Sequence, residues 1–138
     1  MPMATDDPSI HNACEFFRRI HPDQYPYDEN RGRRRISSAA FKAYEASGDL
    51  GSVIAGLGLA PVAHCLGDYP DHGLASIRAG GARSYDQAIV RAPIEADATK
   101  GIRENPAHAL MVGEKRRKKI CKKLAEAATL VQAPPKWA

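Results

Sequence analysis

The chain has 138 residues, 43% hydrophobic and 26% charged. That suits one folded domain with its own core and excludes a low-complexity or disordered chain. The net charge of +4 is unevenly placed: residues 114–123 carry +6 and residues 31–35 carry +4, which leaves −6 for the remainder. A mildly acidic body with two concentrated basic patches points to anionic partners.

In chain order, residues 1–7 read as a disordered leader. Asp7-Pro8 is an N-cap followed by proline at a first helical position. Ile10, Cys14, Phe17 and Ile20 recur at helical spacing, while "EFFRRI" also reads as a short strand. His21-Pro22 ends that element, and residues 22–33 are loop-forming in composition. A helix is predicted from Ser37 or Ser38, with Ala40, Phe41 and Tyr44 on its buried side and Ser47-Gly48 as its stop. Asp49 is read as the cap of a second short helix through Val53 and Ile54, and "LAPVAHCL" as a third short element of either type.

Residues 67–73 form a turn-rich loop, residues 74–80 and 87–94 two strands, and residues 95–106 a polar loop. The apolar run 107–113 is the strongest predicted strand. Residues 114–131 form the clearest predicted helix, with Ile120, Leu124, Ala127 or Ala128, and Val131 on one stripe. Residues 132–138 read as a loose tail. The expected fold is therefore a single α+β domain over residues 8–131. It has a helical first half, a small sheet in the second half, and a basic C-terminal helix packed on that sheet.

The apolar run 52–66 is broken by Gly56, Gly58 and Pro61 and holds His64. It falls short of the roughly 18–20 residues that span a bilayer, so it is assigned to the core and no membrane partner is expected. The odd cysteine count, Cys14, Cys65 and Cys121, with no C-x-x-C, fits reduced, buried thiols in a cytoplasmic protein. His64, Cys65, Asp68, Asp71 and His72 are residue types that suit zinc, but Gly67 and Pro70 break any helix that would align them. No metal site is assigned, and no cofactor motif is present: the strand–Gly–helix passage near 113 lacks the G-x-x-x-x-G-K-[ST] spacing.

The candidate chemistry lies in the basic patches. Lys115, Arg116, Arg117, Lys118 and Lys119 crowd the first turns of the predicted C-terminal helix, where the helix dipole disfavours cations, and Lys122 and Lys123 follow. An anion docked there relieves the repulsion. Arg31, Arg33, Arg34 and Arg35 stand just before the helix predicted at Ser37. These eleven side chains are the expected phosphate or nucleic-acid contacts.

Three islands, "FFRRIHPDQ", "GRRRISSAAF" and "NPAHALMVG", are similar to a pattern in small bacterial proteins. The first two also resemble the ADP-ribosyltransferase-like toxins, including the RES-type NAD-degrading ones. In that resemblance Arg18 or Arg19 matches the family's early arginine, and Arg33 to Arg35 with Ser37 and Ser38 match its following turn. It implies an NAD-consuming pocket holding Arg19, Arg34, Ser37 and His108, although His108 stands where the family places a late glutamate. The readings are thus a module binding nucleic acid or a nucleotide-like anion, an NAD-consuming or ADP-ribosyl-transferring enzyme, and an interaction subunit whose basic patches meet an acidic protein.

Overall fold

The computed structural model describes residues 5–115 and 118–138. Its framework is a six-stranded antiparallel sheet built from β1 (Glu15–Ile20), β4 (Glu45–Leu50), β5 (Gly73–Arg78), β6 (Ala88–Arg91), β7 (His108–Val112) and β8 (Thr129–Gln132), in the order β6-β7-β4-β1-β5-β8. The two-residue strands β2 (Tyr27–Asp28) and β3 (Arg33–Arg34) form a separate hairpin. Among the described residues, four short α-helices complete the fold: α1 (Gly51–Gly56), α2 (Pro61–Leu66), α3 (Ala79–Arg83) and α4 (Lys118–Ala127).

The expected helical first half is overturned. The first half of the chain supplies two central strands of the sheet, β1 and β4. "EFFRRI" takes its strand alternative because successive residues face opposite ways: Phe16 and Ile20 enter one core cluster and Phe17 the other. The helix predicted from Ser37 shrinks to a 3-10 turn at Ser38–Phe41, where the Ser37 hydroxyl accepts from the Ala39 amide at 3.1 Å. "EASGDL", read as helix end and cap, pairs with β7 over five residues and becomes a strand. The C-terminal helix is also shorter than the predicted 114–131, because "TLVQ" leaves it to become edge strand β8 beside β5.

Both faces of the sheet are covered. On one, Phe16, Ile20, Leu50, Ala75 and Met111 pack with Phe41 and with Leu124 and Ala125 of α4. On the other, Phe17 and Leu74 pack with Ile54, Cys65 and Leu66 of α1 and α2. Each large side chain removed from water here contributes about 1.5–3 kcal/mol. The first and last described stretches are tied down. Asp6 accepts from the Ile89 amide and from Arg83, and Trp137 donates through Nε1 to the Pro22 carbonyl at 3.1 Å. Among the described residues, no helix is long and apolar enough to cross a membrane.

Pairing between β1 and β4 is confined to Phe16↔Leu50 and Phe17↔Asp49, although β1 pairs with β5 along its whole length. Beyond Phe17 the two central strands part. The Arg18 guanidinium lies across the opening, donating to the Ala40 carbonyl at 2.5 Å and the Ser47 carbonyl at 2.6 Å.

Candidate anion-binding basin

The β2–β3 hairpin turns at Gly32, whose φ of +64° is accessible to glycine at little cost. Asp28 organises the turn. Its Oδ1 accepts from the amides of Asn30 at 3.0 Å and Arg31 at 3.3 Å, and its Oδ2 accepts from Arg35 Nε at 2.9 Å, with Arg31 Nε at 3.7 Å. Burial acts to raise this carboxyl, but the Arg31 and Asn30 amides and the Arg35 guanidinium outweigh it and hold Asp28 below the ordinary carboxylate value. Arg34 takes the other side of the hairpin. Its Nη1 donates to the Tyr25 carbonyl at 2.9 Å, and its guanidinium carbon lies 3.4 Å from the centre of the Trp137 ring.

These arginines face α4 across a cavity of about 680 Å³. Arg31, Arg33, Arg34 and Arg35 line one wall, and Lys122 and Glu126 line the other. Asp28 also contributes, so five cations stand against two carboxylates, a formal excess of +3. Arg31 spans the rim to Glu126 at 3.9 Å, and Lys123 reaches the same carboxylate at 3.9 Å. Arg33 and Lys122 are exposed and, among the described residues, make no ion pair or side-chain hydrogen bond. The apolar stripe of α4 aims its lysines outward: Cys121, Leu124 and Ala125 are buried, and Lys119, Lys122 and Lys123 are exposed.

Lys115, also a predicted contact, does not line the basin. It precedes α4 and turns inward, 5% exposed, with Nζ donating to the Tyr44 and Met111 carbonyls at 3.0 Å each. Burial pushes its amine down to about 8. Lys118 opens α4, and Arg116 and Arg117 lie outside the described residues.

The four residues of the enzyme reading are spread out. Arg34 lines the basin, while Arg19 lines a smaller cleft at the sheet opening. Ser37 caps its turn, and His108 Nδ1 bonds the Ala92 carbonyl at 2.8 Å.

The cluster of zinc-type residues likewise separates. His64 Nε2 meets Asn105 Oδ1 at 3.1 Å, Asp68 pairs with Arg103 at 3.6 Å, and His72 stacks edge-on against Tyr69. Burial, with Asp49 beside it, pushes the Cys65 thiol up to about 12. Among the described residues, no three His, Cys, Asp or Glu side chains are grouped to hold a metal ion.

Sequence reasoning missed Asp28, Glu126 and Trp137. Asp28 carried a usable signal, since "DENRG" has the aspartate spacing of a side-chain-bonded turn. Trp137 carried none: its place under Arg34 is set by the path of the chain after β8. No protein-family model matches the chain, and the searches of curated proteins and of solved structures also return no match.

Proposed function

We propose that this protein binds phosphate-bearing ligands, nucleic acid foremost, in the basin between the β2–β3 hairpin and α4. The observation that carries the reading is the meeting of two basic segments, about ninety residues apart in sequence, on one concave surface. Arginine forks suit phosphate oxygens because two parallel N–H groups match their spacing. Asp28 and Trp137 hold Arg35 and Arg34 in place before any ligand arrives, which lowers the ordering cost of binding. Lys119 and Lys123 continue the positive surface along α4 beyond the rim. Tyr27, 57% exposed and paired with Arg34 across the hairpin, offers a face on which a base can stack.

The test is binding of a labelled single-stranded oligonucleotide by fluorescence anisotropy across salt. About four or five phosphate contacts, each adding roughly −0.7 to the logarithmic salt slope, give on the order of a 50- to 130-fold loss between about 50 and 200 mM salt. Arg33→Ala and Lys122→Ala each weaken binding and flatten the slope by about one contact. Tyr27→Ala costs about 1–3 kcal/mol without changing the slope. A flat salt response, or unchanged affinity in the Arg33→Ala/Lys122→Ala double variant, overturns the proposal.

A further inference from the structure

A second cavity, about 230 Å³, opens where β1 and β4 part, and its wall is made by Phe17, Arg18, Arg19, Ser47 and Gly48. His21, Gln24 and His72 stand around it. What distinguishes this cleft is the hydrogen-bonding capacity left over on three of these side chains, which is donor in character.

Arg19 is fixed from behind. Its guanidinium carbon lies 3.8 Å from the centre of the Tyr69 ring, Nη1 donates to the Cys65 carbonyl at 3.3 Å, and the buried Asp49 carboxylate stands 4.0 Å from the same nitrogen. Asp49 is itself held by Asn105 Nδ2 at 2.7 Å. Among the described residues, Nε and Nη2 of Arg19 make no hydrogen bond, so two donors of a pre-oriented fork remain. His21 Nδ1 accepts from the Asp23 amide at 3.1 Å, which leaves the proton of the neutral ring on Nε2. Gln24 Oε1 accepts from the His21 amide at 2.9 Å, which leaves its NH₂ group to donate.

His72 closes the group, its ring edge-on to His21 at 5.5 Å, and its Nδ1 is buried with no hydrogen-bond partner. Among the described residues two permanent cations line the cleft and no carboxylate does; Asp49 stands behind Arg19, the exposed Asp23 beside His21, and Asp71 close enough to His72 to act on its ring. Arg18 spends its Nε and Nη1 on the sheet opening and contributes charge.

We infer that this cleft is a binding site for a small tetrahedral oxyanion, a phosphoryl group, held by the Arg19 fork with His21 Nε2 and the Gln24 amide. The volume is below the roughly 300–1,000 Å³ of drug-sized sites, and suits a phosphoryl group with the few atoms that bear it. The site is separate from the basin, and it stands whether or not the basin binds nucleic acid.

The test is a titration of the Arg33→Ala/Lys122→Ala double variant, weakened at the basin, with inorganic phosphate, followed by NMR of the histidine rings. Saturable shifts of the His21 and His72 signals are expected. In the same background Gln24→Glu keeps the acceptor for the His21 amide but puts a carboxylate in place of the donors, and it weakens phosphate binding at least tenfold. Because Gln24→Glu preserves that contact and Gln24 is only half-buried, it also serves where Arg19→Met, which strands Asp49, fails to fold. Glycerol phosphate separates the two sources of the group: tighter binding than inorganic phosphate marks a phosphomonoester ligand, weaker binding marks the free ion. The inference is overturned by the absence of saturable shifts up to tens of millimolar phosphate. Shifts unaltered by Gln24→Glu, or acetate binding as well as phosphate, overturn it equally.

Discussion

Glu126 and Trp137 show how single side chains tune the basin. Glu126 is exposed on α4 and draws Arg31 and Lys123 toward itself, so it competes with any incoming phosphate for the same cations. Glu126→Gln removes that competitor and raises the formal excess of the lining by one charge. Oligonucleotide affinity is then expected to rise several-fold at low salt, while the urea midpoint stays nearly constant because exposed ion pairs contribute about 0–1 kcal/mol. Equal or weaker binding by this variant would count against the basin.

Trp137 is the chain's single tryptophan, and its ring lies under Arg34. A phosphate drawn onto that guanidinium changes the ring's electrostatic surroundings, so intrinsic fluorescence should shift saturably with ligand. Arg34→Met should remove most of that shift while leaving Trp137 bonded to Pro22 through Nε1.

At the scale of elements, Gly48 of β4 is pressed directly against β1. A Cβ on Gly48 would meet Phe16 Cζ and the Phe17 carbonyl oxygen at 2.5 Å each, and neither a fully buried ring nor a backbone carbonyl can yield cheaply. Gly48→Ala is expected to cost about 1–3 kcal/mol, read as a lower urea midpoint. Gly56→Ala, at the end of α1 with open space around it, should be neutral or stabilising by up to about 1 kcal/mol. If the two variants behave alike, the packing described for β1 and β4 is wrong.

Gly48 also marks where sequence reasoning reached its limit. Glu, Ala, Ser, Gly and Asp are poor strand formers, and "EASGDL" is extended because β7 and β1 lie on either side of it. No local pattern carries that information. Strands β5, β6 and β7 were legible because their apolar residues are dense and bounded by turn signals. The basic face of α4 was legible from its stripe, but its end was not, since Val131 kept helical spacing while belonging to β8. The basic wall residues Arg31 to Arg35 and Lys122 were named from charge alone. Their meeting in one cavity, and the carboxylates that restrain them, required the fold.

Across the whole molecule, the stability profile with pH is set by ionisable groups that folding removes from water. Burial holds the Lys115 amine down at about 8, against 10.5 for an ordinary lysine. Between those values the unfolded chain still binds a proton that the folded chain has released, so stability rises as pH climbs through that interval. Cys65 acts in the opposite sense. Burial raises its thiol from 9.0 to about 12, so above about pH 9 the unfolded chain loses a proton that the folded chain keeps, and stability falls. Cys121, raised chiefly by burial, adds to the fall. The two trends cross in a narrow window, and urea midpoints measured under reducing conditions should peak near pH 9. Lys115→Met should abolish the rising limb, since among the described residues no other lysine is buried, and Cys65→Ala should make the falling limb shallower. A midpoint that declines steadily from about pH 7 to 10 in the unaltered protein would show that Lys115 is not confined by the Tyr44 and Met111 carbonyls as described.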